Sequence, residues 1–200
     1  MAGTEIKKVY DAARSLFLLT DEMLRALEAE MAKSGFEQKI QNKRMTSYDL
    51  GRATEWMPYF LELVFAKRGP DQRRGIGVAV LFDVLDRRHL EFPVVFAGVL
   101  DFPRTITNGF SYNLFEFCRL NRDRMKDLEH EAPFYTATFA SIGNEFSKGV
   151  GYFLRLESLQ DRSCLASLIV EPCLELFNSN LVTAGSAIAQ VAVVDKEFFN

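Results

Sequence analysis

The N-terminal region of the chain has the apolar spacing of a long helix. Apolar side chains, with one threonine, recur every seven residues in three neighbouring columns: Ile6, Ala13, Thr20 and Leu27; Val9, Leu16 and Met23; and Tyr10, Phe17, Leu24 and Met31. Such a face is wider than the two-column seam of an isolated coiled coil. We therefore expect a helix over residues 1–35 that packs into a globular core or a helical dimer interface. The Ser34-Gly35 pair is its natural end.

The pattern changes after this helix. Residues 36–55 are polar and weakly periodic, and we interpret them as a connection that contains a short helix. Short apolar runs separated by turn residues then predict three strands, over residues 59–67, 75–86 and 92–101. Because the connections between them are short, we expect an antiparallel meander.

The register of this meander depends on where its hairpins turn. If they turn near Asp71 and His89, residues of equal parity share a face, and Phe60, Phe82 and Phe96 line up across the three strands. This row is then either core or the lining of an apolar pocket. The opposite face is apolar too, so the sheet needs cover on both faces.

The second half of the chain mixes helix and strand signals. Helical spacing predicts a helix over residues 108–129, and alternating patterns predict strands over residues 134–140 and 151–159. The run 164–170 is too short for periodicity to decide. We favour a strand there because Pro172 argues against a long helix, and we expect a last strand over residues 187–194.

These elements together predict one α+β domain over residues 1–200. Its sheet region, residues 56–200, holds an antiparallel sheet of about five to seven strands with a central meander. The long N-terminal helix and the mid-chain helix cover this sheet.

Composition and charge narrow the classes of function. The chain is 48% hydrophobic and 26% charged, which is typical of a folded protein. Its net charge of -3 gives no bulk attraction to nucleic acid, so nucleic acid is not an expected partner. The longest apolar run, residues 92–100, is about half of what a membrane-spanning helix needs. Since the first residues show no apolar signal core, we expect a cytoplasmic protein.

Cysteine and histidine usage predicts neither a disulfide framework nor a metal site. Cys118, Cys164 and Cys173 are odd in number and irregularly spaced, so we interpret them as reduced thiols. The chain has only two histidines. A zinc site would need both of them together with distant ligands, and we predict no metal and no cofactor.

The clearest charge cluster lies between the first two predicted strands. Lys67, Arg68, Arg73 and Arg74 surround a single acid, Asp71. Four cations on one loop are suited to hold a phosphate or an acidic partner. The alternative is a solvated turn whose charges protect the hairpin from edge pairing.

Three residues are weak candidates for acid–base chemistry. Asp83 and Glu62 lie within apolar strand patterns, where burial raises the pKa of a carboxyl group. In the assumed register they point to opposite faces, which does not suit a paired-carboxylate mechanism. His89 lies in a basic turn with no nucleophile motif beside it.

The motifs identify no family and no catalytic constellation, and three functions stay open. We favour a non-enzymatic cytoplasmic interaction or regulatory module, a homodimer or a binder of a protein partner through its N-terminal helix or the outer sheet face. One alternative is an enzyme acting on a phosphate-bearing substrate held by Arg73 and Arg74. The other is a carrier or sensor of an apolar ligand in a phenylalanine-lined cavity.

Overall fold

The computed structural model describes residues 2–45, 58–69, 72–82, 92–106, 129–131, 133–138 and 147–193. Within these residues, a long helix precedes a seven-stranded sheet, and further helices follow it. The helices are α1 (Ala2–Lys33), α2 (Arg162–Leu165), α3 (Glu171–Phe177) and α4 (Leu181–Ile188). A π-helical turn, Ala166–Val170, joins α2 to α3.

The sheet is antiparallel throughout, with the order β1-β2-β3-β4-β7-β6-β5. Its strands are β1 (Phe36–Met45), β2 (Pro58–Lys67), β3 (Arg74–Leu81), β4 (Val94–Asp101), β5 (Glu129–Glu131), β6 (Phe134–Thr138) and β7 (Lys148–Arg155). The predicted α+β class, the antiparallel sheet and the central meander β2-β3-β4 are confirmed.

The predicted register of the meander is wrong. Glu62 pairs with Ala79, and Ala79 pairs with Phe96, so even positions of β2 and β4 share a face with odd positions of β3. Phe82 follows β3 on the helix-covered face, where its ring meets Phe17 of α1 edge-on at 5.3 Å. Phe60, Phe82 and Phe96 therefore do not form one row.

Both faces of the sheet are buried, as their apolar composition requires. On one face, Leu63, Val78, Val95 and Tyr152 form a core with the helices. On the opposite face, three aromatic rings pack against one another across neighbouring strands. The ring centroid of Phe153 lies 5.3 Å from that of Phe96, in a tilted contact, and 5.3 Å from that of Tyr135, in an edge-on contact. The helix face is the one that positions the clefts described below.

The α1 helix packs along only part of its length. Thr20, Leu24, Leu27 and Met31 are buried against the sheet and the later helices. The helix ends where the sequence indicates, because Gly35 adopts the left-handed conformation, with φ of 82°. Its N–H bonds the carbonyl of Ala32 at 3.1 Å.

The segment after α1 is a strand where we predicted a connection with a short helix. Strand β1 covers Phe36–Met45 and pairs with β2 at the edge of the sheet. Its polar residues suit an edge strand, which needs charge against unwanted pairing. The rest of the predicted connection, residues 46–55, lies outside the described residues.

Two strand predictions near the C-terminus are also wrong. Residues 164–170 are helical, because Asp161 caps α2 by accepting a hydrogen bond from the Cys164 N–H at 2.9 Å. Within the other predicted strand, over residues 187–194, the described residues 187–193 are mostly the end of α4 and a turn, and among them only Ala192 forms a bridge, to Leu154.

The mid-chain helix lies largely outside the described residues, and its predicted last residue, Glu129, begins β5. The two strands predicted after this helix are present as β6 and β7, with shifted ends. Across the described ranges, no helix combines the length and the apolar character that a membrane crossing requires.

Candidate functional site

Three charged side chains form a row at one end of the sheet, on the helix-covered face. Arg74 on β3 pairs in register with Asp101 on β4, and Asp101 pairs with Lys148 on β7. Paired residues of antiparallel strands project to the same side, so the order across the row is cation, anion, cation. Asp101 and Lys148 are not among the residues predicted from the sequence, since only strand pairing brings them beside Arg74.

Arg74 is held by the helices rather than by the loop that precedes it. Its Nη2 donates to the carbonyl of Leu176 at 3.3 Å, and its guanidinium carbon lies 5.6 Å from the ring centroid of Phe177. The contact from Nε to Asp101 Oδ1 is 3.6 Å, an ion pair longer than a hydrogen bond, and the buried Nε has no acceptor among the described residues. Arg74 therefore joins the sheet to the end of α3.

The remaining cations of the predicted anion-binding cluster lie outside the row formed by Arg74, Asp101 and Lys148. The side chains of Lys67, Arg68 and Arg73 are exposed. Asp71 lies outside the described residues.

A glutamate of β1 contacts the loop between β2 and β3. Glu37 of β1 forms an ion pair with Lys39 at 2.6 Å and accepts a 3.0 Å hydrogen bond from the amide of Gln72. The bond from Lys39 and then the bond from Gln72 lower the pKa of Glu37. Strand β1 thus places an ion pair with no net charge beside the loop, and its carboxylate holds the amide of Gln72.

Of the three acid–base candidates, the structure describes Glu62 alone. Glu62 is buried on the sheet face opposite to Arg74. It also lies about 16 Å along β2 from Lys67, the end of the strand that is nearest to Arg74. In the observed register, Glu62 shares its face with odd positions of β3, contrary to the prediction. Asp83 and His89 lie outside the described residues.

A cleft lies beside the charged row, between the sheet and the helices α3 and α4. We call it the sheet-end cleft; its volume is about 810 Å³. Its wall combines apolar sheet residues with apolar residues of α4, and its charged end is the row Arg74, Asp101 and Lys148. The apolar wall includes Val99, Phe134, Val150, Leu176, Leu181 and Val182.

A second groove, of about 830 Å³, runs along α1, and we call it the α1 groove. One wall is α1 itself, and the other is the segment that follows β7. Its apolar lining consists mainly of Leu16, Leu19 and Met23 on α1 and Leu156, Leu159 and Leu165 opposite. Polar side chains such as Glu22, Arg25 and Arg162 also line it.

Two potentially reactive side chains are sealed in the core. The Tyr152 hydroxyl donates to the carbonyl of Leu168 at 2.6 Å and lies 3.8 Å from Cys173 Sγ. Burial raises the pKa of Cys173 to about 12, an effect that the bond with Tyr152 partly offsets. Burial also raises the pKa of Tyr152 well above its usual value. Both groups are protonated at neutral pH, which makes the thiol unreactive.

The described part of the chain brings no three histidine, cysteine or acidic side chains together as a metal site. Fold and clefts define the class: an α+β protein whose seven-stranded antiparallel sheet is covered by helices that leave two clefts open. No family model matches the chain, and neither the curated proteins nor the solved structures contain a significant match. Its function is therefore inferred from its own geometry.

Proposed function

We propose that the chain is a cytoplasmic, non-enzymatic interaction or regulatory module that works as a homodimer through α1. The observation that carries this proposal is an apolar seam on α1 that extends beyond the part packed against its own core. By sequence spacing this outer seam consists of Val9, Ala12, Leu16, Leu19, Met23 and Ala26. Met23 and Ala26 are partly buried against the core, whereas Ala12 and Leu19 are exposed and Leu16 is half-buried.

The spacing of this seam alternates between three and four residues, as in the a and d positions of a coiled coil. A second seam with the same spacing includes Thr20, Leu24, Leu27 and Met31, which are buried in the protein's own core. Helix α1 therefore has one seam in its core and a neighbouring outer seam that the core covers only at Met23 and Ala26. Leu19, in the middle of the outer seam, is 64% exposed.

The α1 groove indicates where the second helix lies. Leu16, Leu19, Met23 and Ala26 of the outer seam line it. An antiparallel helix centred between Leu16 and Leu19 pairs each seam residue with one of the same seam in a second copy. This arrangement is isologous, so each copy fills the groove of the other.

The charges of α1 favour the same antiparallel arrangement. Residues 2–15 contain three cations and two anions, whereas residues 16–33 contain two cations and four anions. The two halves thus have net charges of +1 and -2 by this count. An antiparallel pair places the basic half of one copy against the acidic half of the other.

The first half of α1 also exposes apolar surface that a partner would cover. Tyr10 is 67% exposed. A 32-residue helix is about 48 Å long, and the buried residues Thr20, Leu24, Leu27 and Met31 belong to its second half. Within the described residues Cys164 and Cys173 are free thiols, which supports the cytoplasmic part of the proposal.

Sedimentation equilibrium of the full chain at micromolar concentration tests the proposal. We expect a dimer for the unmodified chain and a monomer for Leu19→Lys, which places a charge in the centre of the seam. Leu18→Lys is the matched control, because Leu18 is adjacent and similarly exposed but does not line the groove. It should remain dimeric.

Two results would contradict the proposal. A monomeric unmodified chain removes the homodimer, and equal behaviour of the two lysine variants places any interface elsewhere. Circular dichroism of both variants checks that the fold is retained, as expected for substitutions at exposed positions.

A further inference from the structure

We infer that the sheet-end cleft binds a small amphipathic anion, a compound with an apolar chain and one carboxylate group. This inference is independent of the proposed dimer, because the cleft is lined by the sheet, α3 and α4 and by no residue of α1. It gives the chain a ligand site besides its interface.

The size and lining of the cleft suit such a molecule. Its volume of about 810 Å³ is within the range of small-molecule sites, which are mostly apolar with a few placed polar groups. Phe134, Val150 and Leu176 provide an inner apolar wall. At the rim, Leu181 is 47% and Val182 is 82% exposed, so α4 presents apolar surface to solvent beside the cleft.

The sign of the ligand follows from the charged row. Arg74 and Lys148 flank the single carboxylate of Asp101, so the row has a net charge of +1. The 3.6 Å ion pair from Arg74 Nε to Asp101 is longer than a hydrogen bond, and the described residues offer the buried Nε no other acceptor, so Asp101 does not fully satisfy the guanidinium. A second carboxylate near the two cations would be favourable.

The fixed position of Arg74 makes this a preorganised site. Its guanidinium is already oriented by the Leu176 carbonyl and the Phe177 ring. Binding therefore requires little ordering of that side chain. With the carboxylate of the ligand at Lys148 and Arg74, its apolar chain lies over Val99 and Val150 and beneath α4.

Isothermal titration calorimetry of the full chain with octanoate tests the inference. We expect saturable binding of octanoate, binding of 1-octanol weaker by about tenfold or more, and no binding of acetate. Lys148→Gln should weaken the binding of octanoate about tenfold and leave the binding of 1-octanol unchanged. Lys67→Gln is the matched control, because Lys67 is an exposed cation outside the cleft lining. It should leave both ligands unaffected.

Other variants distinguish this cleft from the α1 groove. Val182→Glu places a carboxylate at an exposed rim position and should abolish octanoate binding, whereas Leu19→Lys in the α1 groove should not change it. The inference is overturned if octanoate does not saturate, if 1-octanol binds as tightly, if the two glutamine variants behave alike, or if Leu19→Lys removes binding. Sedimentation of Leu19→Lys tests the dimer, and octanoate binding to Lys148→Gln tests the sheet-end cleft. Failure of the dimer and failure of this site therefore give separate results.

Discussion

The hydroxyl of Tyr152 on β7 donates a 2.6 Å hydrogen bond to the carbonyl oxygen of Leu168, within the π-helical turn. Four residues after Leu168 comes Pro172. Because proline has no N–H, it cannot donate the bond that an α-helix would give to this carbonyl. The sheet therefore supplies, through Tyr152, the donor that the helix lacks.

The turn itself has the geometry expected from such a proline. The N–H of Glu171 bonds the carbonyl of Ala166, five residues earlier, instead of a carbonyl four residues earlier. This wider spacing lets the helix continue past Pro172 without the clash that a proline ring makes in a regular α-helix. From the sequence, Pro172 argues against a helix at this point. In the structure, the π-helical turn before it accommodates the proline within a helix.

We expect Tyr152→Phe to lower the free energy of unfolding by about 1–3 kcal/mol. The substitution keeps the ring and removes the hydroxyl that donates to the Leu168 carbonyl, which leaves a polar group without that partner. Urea denaturation measures the change. Tyr10→Phe is the control, because Tyr10 is 67% exposed and should change stability by less than about 0.5 kcal/mol. Equal effects of the two variants would show that the buried bond does not stabilise the fold.

Pro172→Ala should reduce the cost of Tyr152→Phe. Alanine restores an N–H at the position that donates to Leu168 in a regular α-helix, so the carbonyl no longer depends on the tyrosine. In a double-mutant cycle, we expect the tyrosine substitution to cost at least about 0.5 kcal/mol less in the alanine background. Identical costs in both backgrounds would mean that Pro172 and Tyr152 are not coupled.

The buried thiol of Cys173 should make stability fall at alkaline pH. Its pKa is about 12 in the folded chain against an ordinary value of 9.0, so the folded state holds the proton that the unfolded state releases. The stabilisation is fully present below pH 9 and is lost as pH rises towards 12, by about 1.4 kcal/mol per pH unit.

Urea denaturation between pH 8 and pH 10 measures this effect before most tyrosines ionise in the unfolded chain. Cys173→Ala removes the titrating group, so its stability should decline less steeply above pH 9 than that of the unmodified chain, whatever its stability at neutral pH. Parallel pH profiles of the two proteins would contradict the prediction. Cys164→Ala is a control, because its thiol is only half-buried.

Gly151→Ala should destabilise the sheet by about 1–3 kcal/mol. Gly151 pairs with Gly98, and the ring of Phe96 lies against both glycines, so a new methyl group at position 151 meets that ring and the carbonyl of Ala97. Thermal and urea denaturation measure the loss. Phe96→Leu removes the outer ring atoms, so the alanine should cost less in that background. An equal cost in both backgrounds would show that the ring is not the obstacle.

The parts of the fold that the sequence predicts are those with a local signal. The seven-residue columns and Gly35 predict α1 and its end, and apolar runs with turn residues predict the meander β2-β3-β4. Local signals fail where pairing decides the structure. The polar segment Phe36–Met45 is a strand because it pairs with the edge of β2, and no apolar period marks it.

The candidate site was harder to predict, because strand pairing and packing assemble it. The sequence by itself determined the α+β class, the long helix, the antiparallel meander and the position of a basic loop, since hydrophobic period and turn chemistry act within a few residues. Only the tertiary structure decided that Phe82 and Phe96 lie on opposite faces, since one residue of register reverses every side chain. It also decided that Arg74 leaves its loop to join Asp101 and the Leu176 carbonyl, because these partners are distant in sequence and meet only when the sheet and helices pack.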